Sequence, residues 1–296
     1  MTRSVLVTGA SSGLGLETAL YLAERDMQVY ASMPDLAEAA TVERCARERG
    51  VAVRTLELDI TRPPSIEAAV RTVMQETGGV WALVNNAGTR LRGCFEDLAD
   101  DEVRTLFDTN VFGTMAVTRA VLPAMRAARR GRIVMMTSVA GRIGSFGVGA
   151  YCATKFAQEG FGESLALELA PFGIQVALVE PGIVNTTAWN VHRVVGRGTD
   201  DPRSPYFTWF HRAEALADDF VRSSPIRPRD VAEAVHRALT ARRPRLRYLV
   251  GRRATAVIGL RRHLPGELFE RFYFGQLMRR VLHGDQDTRR THESND

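Results

Sequence analysis

The sequence predicts an α/β protein: a doubly wound parallel sheet with helices on both faces. Three observations carry this. Short β-branched runs alternate with longer helical patterns as far as Thr187, which implies right-handed strand–helix–strand crossovers. The strand runs are nearly continuous in apolar residues, as in strands buried on both faces. A glycine-rich turn follows the first run directly and opens a helix, which is where such sheets accept phosphate.

Taken in order, the strand signals fall at 4–8, 27–33, 51–58, 81–85, 132–137 and 174–179. The helical patterns between them cover 15–25, 36–49, 65–76, 101–129 and 150–169. Pro63-Pro64-Ser65 opens one helix and Pro171-Phe172-Gly173 closes another. After Thr187 the alternation fades. Residues 188–228 mix Trp189, His192, Phe207, Trp209 and His211 with prolines and charges, so this stretch reads as a helical lid packed over the body rather than a linker. A helix at 229–241 and a strand at 246–250 resume the pattern, and one more helix is expected at 267–283. The organisation expected is one catalytic domain over 1–250 and a basic C-terminal extension over 251–296.

Composition narrows the function classes. The chain has 296 residues, 45% hydrophobic and 25% charged, which excludes a disordered or collagen-like protein. Cys45, Cys94 and Cys152 cannot build a disulfide framework and lack metal-ligand spacing, so no metal site is expected. No apolar run reaches the ~18 residues of a spanning helix. The first apolar run is too short for a leader, so a soluble, cytoplasmic protein is the expectation. The net charge of +5 belongs to the tail, where residues 241–296 carry 13 arginines against 6 acids. A solvated helix face explains those arginines most simply. Contact with an anionic membrane surface is a second reading. Nucleic acid is not expected, since no reader module is present.

The turn itself reads Thr8-Gly9-Ala10-Ser11-Ser12-Gly13-Leu14-Gly15. Its GxxxGxG spacing differs from the GxGxxG dinucleotide fingerprint, yet its place between strand and helix marks a nucleotide site. Further along come Asn85-Asn86-Ala87-Gly88, Asn110, Ser138, Tyr151-Cys152-Ala153-Thr154-Lys155 and Pro181-Gly182. This ordered set resembles the short-chain dehydrogenase/reductase family over about residues 3–187. The resemblance implies a Rossmann-type sheet binding NAD or NADP. Gly9, Ser11, Ser12, Gly13, Leu14 and Gly15 would line the pyrophosphate, and Asp59 and Ile60 would meet the adenine. Asn86, Ala87 and Gly88 would border the adenosine, and Pro181, Gly182, Val184 and Thr186 the nicotinamide; Tyr151 and Lys155 would also touch the cofactor. Asn85 looks like a residue bracing the sheet. Met33 stands where NAD-preferring relatives carry an acid, with Pro34 and Asp35 after it, and this tips the balance slightly to NADP.

The chemistry can also be argued from the residues. Tyr151 and Lys155, at i and i+4, share a helix face. An ammonium beside a phenol lowers a pKa that otherwise lies near ~10, so the phenol can exchange a proton with an alcohol or ketone as hydride moves. Lys155 is the only lysine among 39 basic residues, which suits a place that needs a compact ammonium. Ser138 would hydrogen-bond the reacting oxygen, and Asn110 would fix a water beside Lys155 to complete a proton relay.

The stretch 156–165 and Pro244-Arg245-Leu246-Arg247-Tyr248 are similar to the hydroxysteroid and retinol dehydrogenase branch. The resemblance and the aromatic lid together imply a bulky lipophilic secondary alcohol or ketone, with Ser138, Tyr151, Trp189, His192 and His211 as candidate substrate contacts. Two alternatives stay open: a tailoring ketoreductase of a polyketide-like metabolite, and a non-catalytic NAD(P)-binding sensor or scaffold. The family pattern also implies a homodimer or homotetramer.

Overall fold

A computed structural model describes residues 3–185 and 194–283. Seven strands form one parallel sheet: β1 (Ser4–Val7), β2 (Gln28–Met33), β3 (Val53–Glu57), β4 (Ala82–Asn85), β5 (Gly131–Met136), β6 (Ile174–Pro181) and β7 (Arg247–Val250). Their order in the sheet is β3-β2-β1-β4-β5-β6-β7. Alternate residues of each strand feed opposite faces, as the two-residue period of a strand requires. Val5, Val7, Val29, Ala31, Val84 and Val134 join one apolar cluster, and Leu6, Tyr30, Leu83, Ile133 and Met135 the other.

The first cluster is covered by α1 (Gly13–Ala23) and α8 (Pro228–Thr240), which lie side by side. The second is covered by α3 (Pro63–Thr77), α5 (Thr114–Ala127) and α6 (Gly149–Leu169). Helix α2 (Ala39–Glu48) flanks the β3 edge. The doubly wound sheet expected from the alternation is therefore the one observed, and its six early strands fall within a few residues of the expected places.

Two elements differ from expectation. The single helix expected at 101–129 is split: α4 (Asp100–Phe107) runs into a π-helical turn at Asp108–Gly113 before α5 begins. The tail holds two helices rather than one, α9 (Arg252–His263) and α10 (Gly266–His283). Within 188–228 lies a regular helix, α7 (Phe207–Arg222), in keeping with the helical character expected there. Helix α10 docks through Phe269 and Val281, both buried, and packs against α7, while Leu268 and Phe272 stay exposed. Among the described residues no helix is long and apolar enough to cross a membrane, and no cluster of His, Cys, Asp and Glu could hold a metal ion.

Candidate active site

Strand β1 pairs with β2 on one side and β4 on the other, so the winding direction reverses there and a crevice opens beyond the strand ends. The glycine turn after β1 and Asn86–Gly88 after β4 form its walls. Gly9 and Gly13 have φ of +63° and +57°, a region L side chains rarely adopt. A Cβ on Gly15 would lie 2.2 Å from the Gly9 carbonyl oxygen and 2.4 Å from Asn86 Nδ2, and one on Gly9 would lie 2.7 Å from Ala87 Cα. The turn is thus a backbone cradle that no side chain can enter. Helix α1 starts behind it with no side-chain cap and no acidic residue in its first turn, so its N-terminal N–H groups and dipole suit an anion. These residues fit a dinucleotide pyrophosphate.

Asn86 and Thr8 hold the two walls together. Asn86 Nδ2 donates to the carbonyls of Thr8 (2.9 Å) and Gly9 (2.8 Å), while Thr8 Oγ1 accepts from the N–H groups of Asn86 and Ala87, both at 3.0 Å. Asn86 therefore braces the turn as well as bordering the crevice. Asn85 is buried and donates to Thr118 Oγ1 at 2.9 Å, the sheet-bracing role expected of it. On the third strand's side, Asp59 Oδ1 accepts from Thr61 N at 2.9 Å, and Ile60 is buried against Gly113. Met33 is fully buried, and the Asp35 carboxylate accepts from Ala37 N at 2.8 Å, capping a short turn. Past β6, Gly182 N donates to Val250 O at 3.0 Å and Val184 is buried.

The reactive group lies where α6 passes the end of β5. Ser138 follows β5; its Oγ accepts from Ala140 N at 3.1 Å and is hydrogen-bonded to Tyr151. Burial pushes the Tyr151 phenol up, but Lys155, Arg90 and the hydrogen bonds from Ser138 and Arg90 outweigh it, leaving the pKa below its ordinary value. The Lys155 ammonium lies 5.8 Å from the Tyr151 ring centroid. Burial and the nearby Arg90 charge lower the Lys155 pKa, against the pull of Tyr151 and Glu159. A phenol and an amine tuned toward each other in a crevice mark an acid–base centre.

Asn110 is fully buried in the π turn. Its Oδ1 accepts from Thr89 N at 2.8 Å and its Nδ2 donates to Thr89 O at 2.9 Å and Thr154 Oγ1 at 3.1 Å. This clamp fixes the strap after Gly88. The Asn110 carbonyl accepts from Thr114 Oγ1 at 2.8 Å and from Gln158 Nε2 at 2.6 Å. Gln158 Oε1 in turn accepts from Lys155 Nζ at 2.9 Å, so Gln158 links Asn110 to Lys155.

The structure thus gathers Asn110, Ser138, Tyr151 and Lys155 into one site. Arg90 and Gln158 belong to it and were missed. Gln158 had a signal, since Tyr151, Lys155 and Gln158 follow one another at helical spacing on a buried face; Arg90, on an irregular strap, had none. Thr186, Trp189 and His192 lie outside the described residues. His211 is exposed, 3.5 Å from an Asp200 carboxylate oxygen and edge-on to Phe207. Beside it, Phe210 is buried, and Glu214 of α7 forms a buried ion pair with Arg92 of the strap, 2.6 Å at Nε.

Residues 3–193 match the family model for short chain dehydrogenases. The chain belongs to the short-chain dehydrogenase family. It is 37% identical to retinol dehydrogenase 8 of Bos taurus, over 91% of this chain and 88% of the relative. It is 36% identical to human 17-beta-hydroxysteroid dehydrogenase type 1, over 87% of this chain and 80% of the relative. Among solved structures it resembles the actinorhodin polyketide ketoreductase crystallised with NADPH, at 31% identity and a TM-score of 0.72, over 84% of this chain and 96% of that one. This short-chain dehydrogenase is accordingly an NAD(P)-dependent oxidoreductase of the retinol and hydroxysteroid dehydrogenase-like branch.

Proposed function

We propose that the enzyme interconverts a secondary alcohol and a ketone on a bulky lipophilic molecule, steroid- or retinoid-like, with Tyr151 as the general acid–base. The observation that carries this reading is the Tyr151 phenol, held below its ordinary pKa by two neighbouring cations and bonded to Ser138 at the mouth of the crevice. When bound, the nicotinamide supplies the hydride acceptor or donor. In oxidation the Tyr151 phenolate takes the hydroxyl proton; in reduction the phenol returns it to the carbonyl oxygen. Ser138 Oγ accepts from the Ala140 backbone, so its own proton is directed to a neighbouring oxygen and orients the substrate. Lys155 favours the phenolate form and would help to hold the cofactor on its ribose side. Positioned proton transfer of this kind supplies ~10²–10⁴-fold.

NADP is the preferred cofactor in this reading. Met33 is buried and Asp35 is committed to Ala37, so neither offers the carboxylate that favours a free ribose 2′-hydroxyl. Helix α7, fastened through the Arg92–Glu214 pair, forms part of the lid over the substrate.

Turnover assays test the reading. NADPH oxidation is followed with all-trans-retinal, a 17-ketosteroid and a bicyclic β-diketone as probes. Reduction of the steroid ketone, abolished by Tyr151→Phe, supports it, whereas reduction of retinal alone, an aldehyde, moves the reading to a primary alcohol of the retinoid kind. Reduction of the β-diketone alone selects the ketoreductase alternative, in keeping with the likeness to the polyketide ketoreductase. Cofactor binding without turnover of any carbonyl or alcohol would favour the sensor or scaffold.

A further inference from the structure

Resting on Tyr151 as the acid–base, we infer that Gln158 is a positioning residue that locks the Lys155 ammonium in the rotation that serves Tyr151. The bridge is built from buried groups: Lys155 is 6% exposed, Gln158 3% and Asn110 0%. Gln158 Nε2 donates to the Asn110 carbonyl at 2.6 Å and reaches Thr114 Oγ1 at 3.3 Å, while its Oε1 accepts from Lys155 Nζ at 2.9 Å. Only one orientation of the amide works. Turned over, it would set N–H against ammonium and oxygen against carbonyl.

Two consequences follow from the hydrogen-bond inventory. The Asn110 carbonyl oxygen accepts from Thr114 Oγ1 and Gln158 Nε2, which uses both of its lone pairs. The Lys155 ammonium donates to Met136 O at 3.0 Å and to Gln158 Oε1, so two of its three N–H bonds are fixed by neutral oxygens. Its rotation is thereby set, and the remaining N–H is left for the Tyr151 side. Gln158 also solvates the buried cation in place of water, which keeps it charged and the phenol acidic.

The π turn makes the arrangement possible, because it breaks the regular helical ladder at Asn110 and turns that carbonyl toward side chains.

The test is a pH titration of tyrosinate absorbance on the full chain, taken as the difference between each protein and its own Tyr151→Phe counterpart, so no substrate is needed. Gln158→Leu removes all three hydrogen bonds of the amide. Gln158→Glu is nearly isosteric, keeps the packing and sets a carboxylate against Lys155. The expected result is a Tyr151 midpoint that rises by about one pH unit or more in Gln158→Glu and by a smaller amount in Gln158→Leu. Midpoints matching the native protein's in either folded variant overturn the inference. If Gln158→Leu does not fold, Gln158→Glu alone decides. A native Tyr151 that itself titrates near its ordinary value overturns the acid–base reading instead, so the two failures are distinct.

Discussion

Around the glycine turn and Tyr151, polar side chains are tied to backbone in closed sets. Asn86 and Thr8 join the two walls of the crevice, Asn110 clamps Thr89 from both sides, and Gln158 spans Asn110 and Lys155. Helices α7, α9 and α10 are attached differently. Helix α7 depends on the Arg92–Glu214 pair and Phe210, α10 on Phe269 and Val281, and α9 buries no residue fully. The contrast is instructive. The part that must place a phenol, an ammonium and a pyrophosphate within tenths of an ångström is over-determined by hydrogen bonds. The outer helices are held by a few contacts that can change without disturbing the chemistry.

Substitutions in the two regions should therefore fail in different ways. The largest effect is expected for Tyr151→Phe, which should lower kcat by ~10²–10⁴-fold with cofactor affinity retained, measured by NADPH oxidation beside a binding titration. Gly15→Val should remove cofactor binding, because its side chain would meet the Gly9 carbonyl and Asn86; loss of NADPH fluorescence enhancement is the readout. The rise of alcohol oxidation with pH should reach its plateau below the ordinary tyrosine range near ~10, since the Tyr151 phenol is held low; a plateau only above that value would contradict the two-cation account.

In the covering region, Glu214→Gln strands the Arg92 charge and should cost about 3–5 kcal/mol in thermal unfolding, with KM rising more than kcat falls. The double substitution Arg92→Leu with Glu214→Leu should restore most of that stability, since no buried charge is left unpaired. Smallest of all, Phe272→Ser on the exposed face of α10 should change stability by no more than about 0.5 kcal/mol, whereas Phe269→Ala one turn away should cost about 3 kcal/mol. Equal effects at the two positions would show that α10 is not docked as described.

The same division governs how much could be read from the sequence. Strands buried on both faces leave unbroken apolar runs, so β1 to β6 were legible, and fixed spacings made Asn110, Ser138, Tyr151 and Lys155 legible as a set. Helix α9 was missed because Arg252 to His263 carries no buried stripe and no capping residue, so nothing periodic marks it. A helical element was expected within 188–228, but prolines and aromatics that resemble loop composition hid the bounds of α7. The π turn was missed since only Gly113 at its end hints at a break; the turn is held by tertiary contacts, in the bonds Asn110 makes to Thr89, Thr154 and Gln158. Arg90 could not be placed at Tyr151 before the strap carrying it was placed.

The central claim is that the cradle after β1 and the Tyr151–Lys155 face of α6 hold a nicotinamide nucleotide ready for hydride transfer. Titrating the full chain with NADPH and with NADH, followed by nicotinamide fluorescence, tests it most directly. The account predicts saturable binding of NADPH, weaker binding of NADH, and loss of both in Gly15→Val. A folded protein that binds neither nucleotide would contradict it.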